Sequence, residues 1–203
     1  MGDKTLQADK LFPLSLSQRN IWNLENNFKG TSINNISTTI EIRGRLDIGL
    51  LQKSLSMVIA ADRSLRTQLC LVDGQPQQYH ASYTPAPFTV LDFSQTTESG
   101  IQNWEMAVTR EPLPLLDLPL YRFIIFRSGE HSGGVLVKTH HIISDGWSQV
   151  QLCNRIAQTY LDLLAGKTVE LPPVPSYSAH VQAEADYLHS DAYARDKEYW
   201  QQT

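Results

Sequence analysis

The sequence predicts an α/β fold: a mixed β-sheet covered by helices, built as an α+β two-layer sandwich. Three observations carry this expectation. Strand-like runs and amphipathic helical stripes alternate irregularly, which mixes hairpins with crossovers. Residues 120–126 form a nearly continuous apolar run, as in a strand covered on both faces. Asp73-Gly74 lies between two strand-like runs and signals a tight hairpin.

The elements follow in order. Pro13 and Ser15 introduce a short helix, because the Ser15 hydroxyl can accept from an orphan N–H. Residues 33–43 hold Ile36, Thr38, Thr39, Ile40 and Ile42 at close intervals and read as a strand ended by Gly44. Asp47 caps a helix whose Leu51, Leu55, Val58 and Ile59 make one apolar stripe. Residues 65–72 and 77–83 are the two strands of the hairpin, and 88–92 is a short strand after the break at Pro85 and Pro87. Residues 95–110 suit a helix, whereas the three prolines in 111–119 forbid a regular one. Gly133 and Gly134 are expected to separate the 120–126 strand from a final strand over 135–139. A long helix starts near Trp147, with Val150, Cys153, Ala157, Tyr160, Leu161 and Leu164 on one face and Gly166 as its stop. Residues 171–175 form a stiff proline linker, and 177–200 is polar and helical, ending as if cut within an element. The rings of Trp22, Trp104 and Trp147 are expected to pack in the core.

Composition narrows the function classes. The chain has 203 residues, enough for one domain with a full core. The formal net charge is −4 and no basic run stands out, so nucleic acid is not an implied partner and anionic membranes are disfavoured. Residues 1–10 are polar, which is not a signal peptide, and no apolar run approaches the ~18 residues of a membrane span. Cys70 and Cys153 sit in apolar stretches and read as free buried thiols, which fits a reducing cytoplasm. No ligand-spaced cluster of Cys, His and carboxylates indicates a metal.

Residues 140–146 read His-His-Ile-Ile-Ser-Asp-Gly, at the junction of the last strand and the long helix. Successive side chains on a strand point to opposite faces, so His140 and His141 cannot reach one point. One faces a cavity and the other the opposite side. Asp145 can fold back to orient an imidazole or to lock the turn through an arginine, and Gly146 permits a positive φ and a close backbone approach. Ser144 is not in a G-x-S-x-G elbow, so no acyl-enzyme is expected.

This turn resembles the HHxxxDG signature of the condensation domains of nonribosomal peptide synthetases, and the likeness extends to Ser148. The opening helix, Ser15 through Leu24, resembles the family's SxAQxRxWxL segment with Ser17 in place of Ala. Leu65-Arg66-Thr67 resembles the end of the RHExLRTxF motif, whose first three positions are here Ala61-Asp62-Arg63 and whose Phe is Leu69. Pro119 to Arg122 resembles the entry to the central strand, and Pro175 to Trp200 the close of the first lobe, although its Asp and Trp are here Ala179 and Ala183.

The resemblance implies a lobe like that of chloramphenicol acetyltransferase, with residues 1–170 as the N-terminal lobe and 171–203 leading toward an absent C-terminal lobe. It implies that His141 is catalytic, that His140 is structural and that Asp145 pairs with an arginine, for which Arg66 is the best candidate and Arg63 the substitute. Ser144, Gly146 and Trp147 would lie near substrate. The reaction implied is amide formation between an acyl or peptidyl thioester and an amine. Both are carried on the phosphopantetheine of carrier proteins, and no cofactor is bound directly. The implied partners are those carrier domains, the second lobe and a downstream adenylation domain. The few residues before the first helix place the domain at the opening of its polypeptide, suited to a starter acyl group or a carrier docked in trans. Two alternatives remain at this stage: an ester-forming or acyl-CoA-dependent acyltransferase of the same superfamily, and a non-catalytic docking module.

Overall fold

A computed structural model describes residues 11–202. The polar opening, 1–10, lies outside the described residues. The chain runs β1 (Phe12–Pro13), α1 (Leu16–Asn27), β2 (Asn35–Arg43), α2 (Ile48–Ala61), β3 (Thr67–Val72), β4 (Gln75–His80) and β5 (Thr89–Asp92). It continues α3 (Glu98–Arg110), β6 (Tyr121–Arg127), β7 (Ser132–His140), α4 (Gly146–Leu164), α5 (Tyr177–Leu188) and α6 (Asp191–Gln202).

The strands divide into two sheets where one mixed sheet was expected. The larger has the order β2-β7-β6-β5 and the smaller β1-β4-β3. In the larger, β2, β7 and β6 are antiparallel and β5 joins β6 in parallel. The proline-rich segment before β6 lies along β3: Leu116 bridges Leu69, and the Asp117 N–H donates to the Leu69 carbonyl at 2.9 Å. The hairpin signal holds. Asp73 and Gly74 have φ of 51° and 76°, and this pair of positive values suits a two-residue turn between twisted strands.

The alternation of β6 sorts the core. Phe123 and Ile125 face Leu51, Leu55, Val58 and Ile59 of α2 and Leu152, Ile156 and Tyr160 of α4. Ile124 faces the other way, onto Val108 of α3 and Leu136, with Trp104 beside them. Helices thus cover both faces of the larger sheet, adding a layer to the expected two. Each fully buried Leu, Ile or Phe contributes roughly 1.5–3 kcal/mol by leaving water.

Gly133 and Gly134 do not separate two strands. They lie inside β7, because a Cβ there would meet the Phe126 carbonyl oxygen at 2.2 Å or the Ile40 carbonyl oxygen at 2.1 Å. The α4 stripe is also rotated from its expected place. Val150, Leu161 and Leu164 are exposed, and the buried face carries Gln149, Leu152, Ile156, Thr159, Tyr160 and Leu163. Gln149 turns inward because its amide is satisfied there. It donates to the Val137 carbonyl at 3.0 Å and accepts from the Thr139 hydroxyl at 2.9 Å. Trp22 and Trp104 pack against core clusters as expected, but Trp147 is 72% exposed.

The segment after α4 is fastened back onto the lobe. The Val174 N–H donates to Ala61, the Tyr177 hydroxyl lies 3.1 Å from that of Ser15, and Glu184 accepts from the Leu16 N–H at 2.8 Å.

Lys138 of β7 is fully buried among the core residues. Its ammonium donates to the carbonyls of Val108, at 2.6 Å, and Glu111, closing the C-terminus of α3. Lys138→Met keeps the apolar stem and removes this donor from both carbonyls, leaving Val108 with the Glu111 N–H and Glu111 with the Asn35 side-chain amide. Urea denaturation of this variant is expected to show a loss of about 1–3 kcal/mol; stability equal to the parent would refute the capping role.

Candidate active site

The histidine turn is built by the ladder that ends beneath it. β7 stops at His140, whose N–H donates to Leu120 at 2.9 Å, while the His141 N–H crosses to Asn34 at 2.7 Å. The chain then turns, with Ile143 N–H on the His140 carbonyl at 3.1 Å, and α4 starts at Gly146. The two imidazoles part as the strand period requires: His140 is 1% exposed and His141 is exposed.

His141 lines a cavity of about 410 Å³. Its walls come from four directions: Ser17, Gln18 and Ile21 of α1, Ser64 and Thr67 at the start of the hairpin, Tyr177 of α5, and the turn itself with Ser144, Asp145 and Ser148. The α1 wall is held by Gln18, which is buried and closes a capping box with Ser15. The Gln18 amide also donates to the Ile142 carbonyl at 3.0 Å, tying the opening helix to the turn.

His140 is packed behind this surface. Its Nδ1 accepts from the Ile142 N–H at 3.1 Å, so its proton sits on Nε2. Nε2 faces the Glu25 carboxylate at 3.6 Å, within ion-pair range but longer than a hydrogen bond, and has no closer partner. Burial holds this imidazole below its ordinary range, and the Glu25 charge offsets that only in part. Glu25 is itself buried and accepts from the Asn34 amide at 2.6 Å.

The expected Asp145–Arg66 ion pair is absent. Asp145 is exposed and is the N-cap of α4, accepting from the Ser148 N–H at 2.7 Å. That hydrogen bond, with the nearby His141, keeps its carboxyl below the usual carboxylate range. Arg66 points elsewhere and donates to the Ala81 carbonyl at 2.9 Å, while Arg63 is exposed. The helix N-terminus supplies the positive partner that an arginine was expected to supply. Gly146 has no positive φ, and a Cβ on it would meet nothing within 4 Å. It borders open space instead of relieving strain. Trp147 and Ser144 line a neighbouring groove with Arg155 and Val174, and Ser144 also borders the main cavity.

Glu25, Asn34 and Gln149 escaped the sequence reading. One signal was available for Glu25. Gln18 and Glu25, seven residues apart on α1, share a face, and a polar pair on a core-facing stripe demands a buried partner. Among the described residues no group of three or more His, Cys, Asp or Glu could hold a metal ion. Cys70 and Cys153 are free, and burial raises both thiols.

The profile of the condensation domain family matches residues 8–203, and the chain belongs to that family. It is 30% identical over 194 residues to surfactin synthase subunit 1 of Bacillus subtilis, covering 93% of this chain and 5% of that protein. It is 29% identical over 197 residues to bacitracin synthase 3 of Bacillus licheniformis, covering 96% of this chain and 3% of the relative. Among solved structures, the first condensation domain of the calcium-dependent antibiotic synthetase, in complex with a substrate analogue, superposes with a TM-score of 0.82 at 25% identity, over 94% of this chain and 46% of that one. The starter condensation domain of rhizomide synthetase superposes at 0.85 with 24% identity, over 95% and 47% respectively. The chain therefore spans about half of the solved domains and under a tenth of these two synthases.

Two outcomes follow from this geometry. Asp145→Ala removes a cap and is expected to lower stability by about 1 kcal/mol in urea titration. A loss of about 3–5 kcal/mol, the signature of a broken buried ion pair, would contradict the capping role. The second concerns pH. The folded-state value of His140 lies below the ordinary 6.5, so the unfolded chain binds the extra proton. The stability this contributes is fully present above pH 6.5 and is lost as pH falls below it, and His80, lowered by the same desolvation, adds to the effect. The urea midpoint is expected to be lower at about pH 5.5 than at about pH 7.5; an unchanged midpoint would count against a buried neutral His140.

Proposed function

We propose that the chain is the N-terminal half of a nonribosomal peptide synthetase condensation domain that joins a carrier-bound acyl or peptidyl thioester to a carrier-bound amine. The observation that carries this reading is the exposed His141 ring, bordering a cavity of about 410 Å³ beside the unfilled space at Gly146. The amine must be neutral to attack the thioester carbonyl, and it must lose a proton as the C–N bond forms. Imidazole exchanges protons near neutral pH and is suited to accept that proton, or to hydrogen-bond the amine and stabilise the charged intermediate. The thiol of the phosphopantetheine arm leaves with the donor carrier. Gln18 and the Asp145 cap hold the turn, while Ser144 and Ser148 supply hydroxyls at its edge.

On this reading the cavity is one wall of a tunnel, residues 171–203 lead toward a second lobe, and carrier and adenylation domains are the partners. A cytoplasmic setting is part of the proposal, supported by the two free cysteines; no helix among the described residues is long and apolar enough to cross a membrane.

Peptide-bond formation with loaded carrier proteins tests the reading. The isolated 203-residue chain is expected to turn over little, and robust turnover would overturn the two-wall account. In a complete domain, His141→Ala is expected to cost roughly 10²–10⁴ in rate. Its melting temperature should match the parent, since the ring is exposed; an unaffected rate would remove His141 from the mechanism.

A further inference from the structure

Glu25 is a buried carboxylate that the proposed chemistry does not use. It takes part in a closed circuit around one peptide unit. Glu25 accepts from the Asn34 side-chain amide at 2.6 Å and faces His140 Nε2 at 3.6 Å. His140 Nδ1 accepts from the Ile142 N–H at 3.1 Å, and the Asn34 carbonyl accepts from the His141 N–H at 2.7 Å. His141 is thus gripped on both sides by groups that all return to one carboxylate on α1. The side chains of Glu25, Asn34 and His140 are all buried, so water does not replace a lost member.

We infer that Glu25 is a positioning residue for the His141 imidazole, holding the His140–Ile142 backbone so that the exposed ring points into the cavity. The carboxylate is the side chain that contacts both the Asn34 amide and the His140 ring, so its loss frees the turn on two sides at once. It sits behind the wall and touches no substrate. The inference rests on the proposed role of His141 and adds what aims it.

Three measurements on the complete synthetase test this, with tautomer spectra from protein labelled with ¹⁵N-histidine. Glu25→Ala is expected to lower kcat for amide formation by about 10²-fold, the scale of a misaligned reacting group, with KM for loaded carriers unchanged. Glu25→Gln keeps an acceptor oxygen for Asn34 and His140 and is expected to restore most of that rate. In a His141→Ala background, Glu25→Ala is expected to cause no further loss. The spectra should show His140 as the Nε2–H tautomer, a readout that needs no variant to fold. Glu25→Ala turning over like the parent, a loss that persists without His141, or an Nδ1–H tautomer at His140 would each overturn the inference while leaving the catalytic assignment intact. His141→Ala turning over like the parent would overturn both.

Discussion

The pairing of two buried glutamine side chains, Gln18 and Gln78, is the contact on which the site's frame depends. Each amide donates to the other, at 3.0 and 2.7 Å. Gln18 also reaches the Ile142 carbonyl, and Gln78 reaches the Pro13 carbonyl at 2.9 Å. One hydrogen-bonded pair therefore joins the opening helix, the smaller sheet and the histidine turn. Those three parts lie far apart in sequence, and the larger sheet alone would not bring them together. A buried amide left half satisfied is costly, so the arrangement forms as a unit or not at all.

This explains which parts of the fold were legible in the sequence. Local chemistry predicted well. Ser15 and Asp47 cap their helices, Asp73-Gly74 turns its hairpin, and Gly166, with φ of 72°, follows α4. What misled was non-local. Gly133 and Gly134 look like a break from their flanks, but the neighbouring carbonyls that demand them come from Ile40 and Phe126 on other strands. The α4 stripe was misplaced because that helix has two apolar faces. The choice between them is made by Gln149 bonding to β7, which no helical period encodes.

The site divides in the same way. That His140 and His141 face opposite sides followed from strand geometry alone. The division of labour around them did not. Asp145 was read with a distant arginine, yet its partner is the N–H three residues on, and an aspartate before a helical run carries that signal by itself. Asn34 and His140 meet Glu25 only where α1 and the residue before β2 pack against the strand end; the polar pair on α1 signals that Glu25 has a buried partner but does not say which.

The two glycines at the entry to β7 have a further consequence. The strand is laddered on both sides, to β2 over nine positions and to β6 over seven, and at the glycines the neighbours approach too closely for any side chain. A shift of one position would present a Cβ to a carbonyl and move Lys138 and His140 together to the opposite face of the sheet, away from the α3 carbonyls and Glu25 that receive them. The two imidazoles are chemically identical. Which one borders the cavity is decided not only at the turn but also seven residues upstream, where the alignment of the ladder sets the face on which each ring leaves the strand.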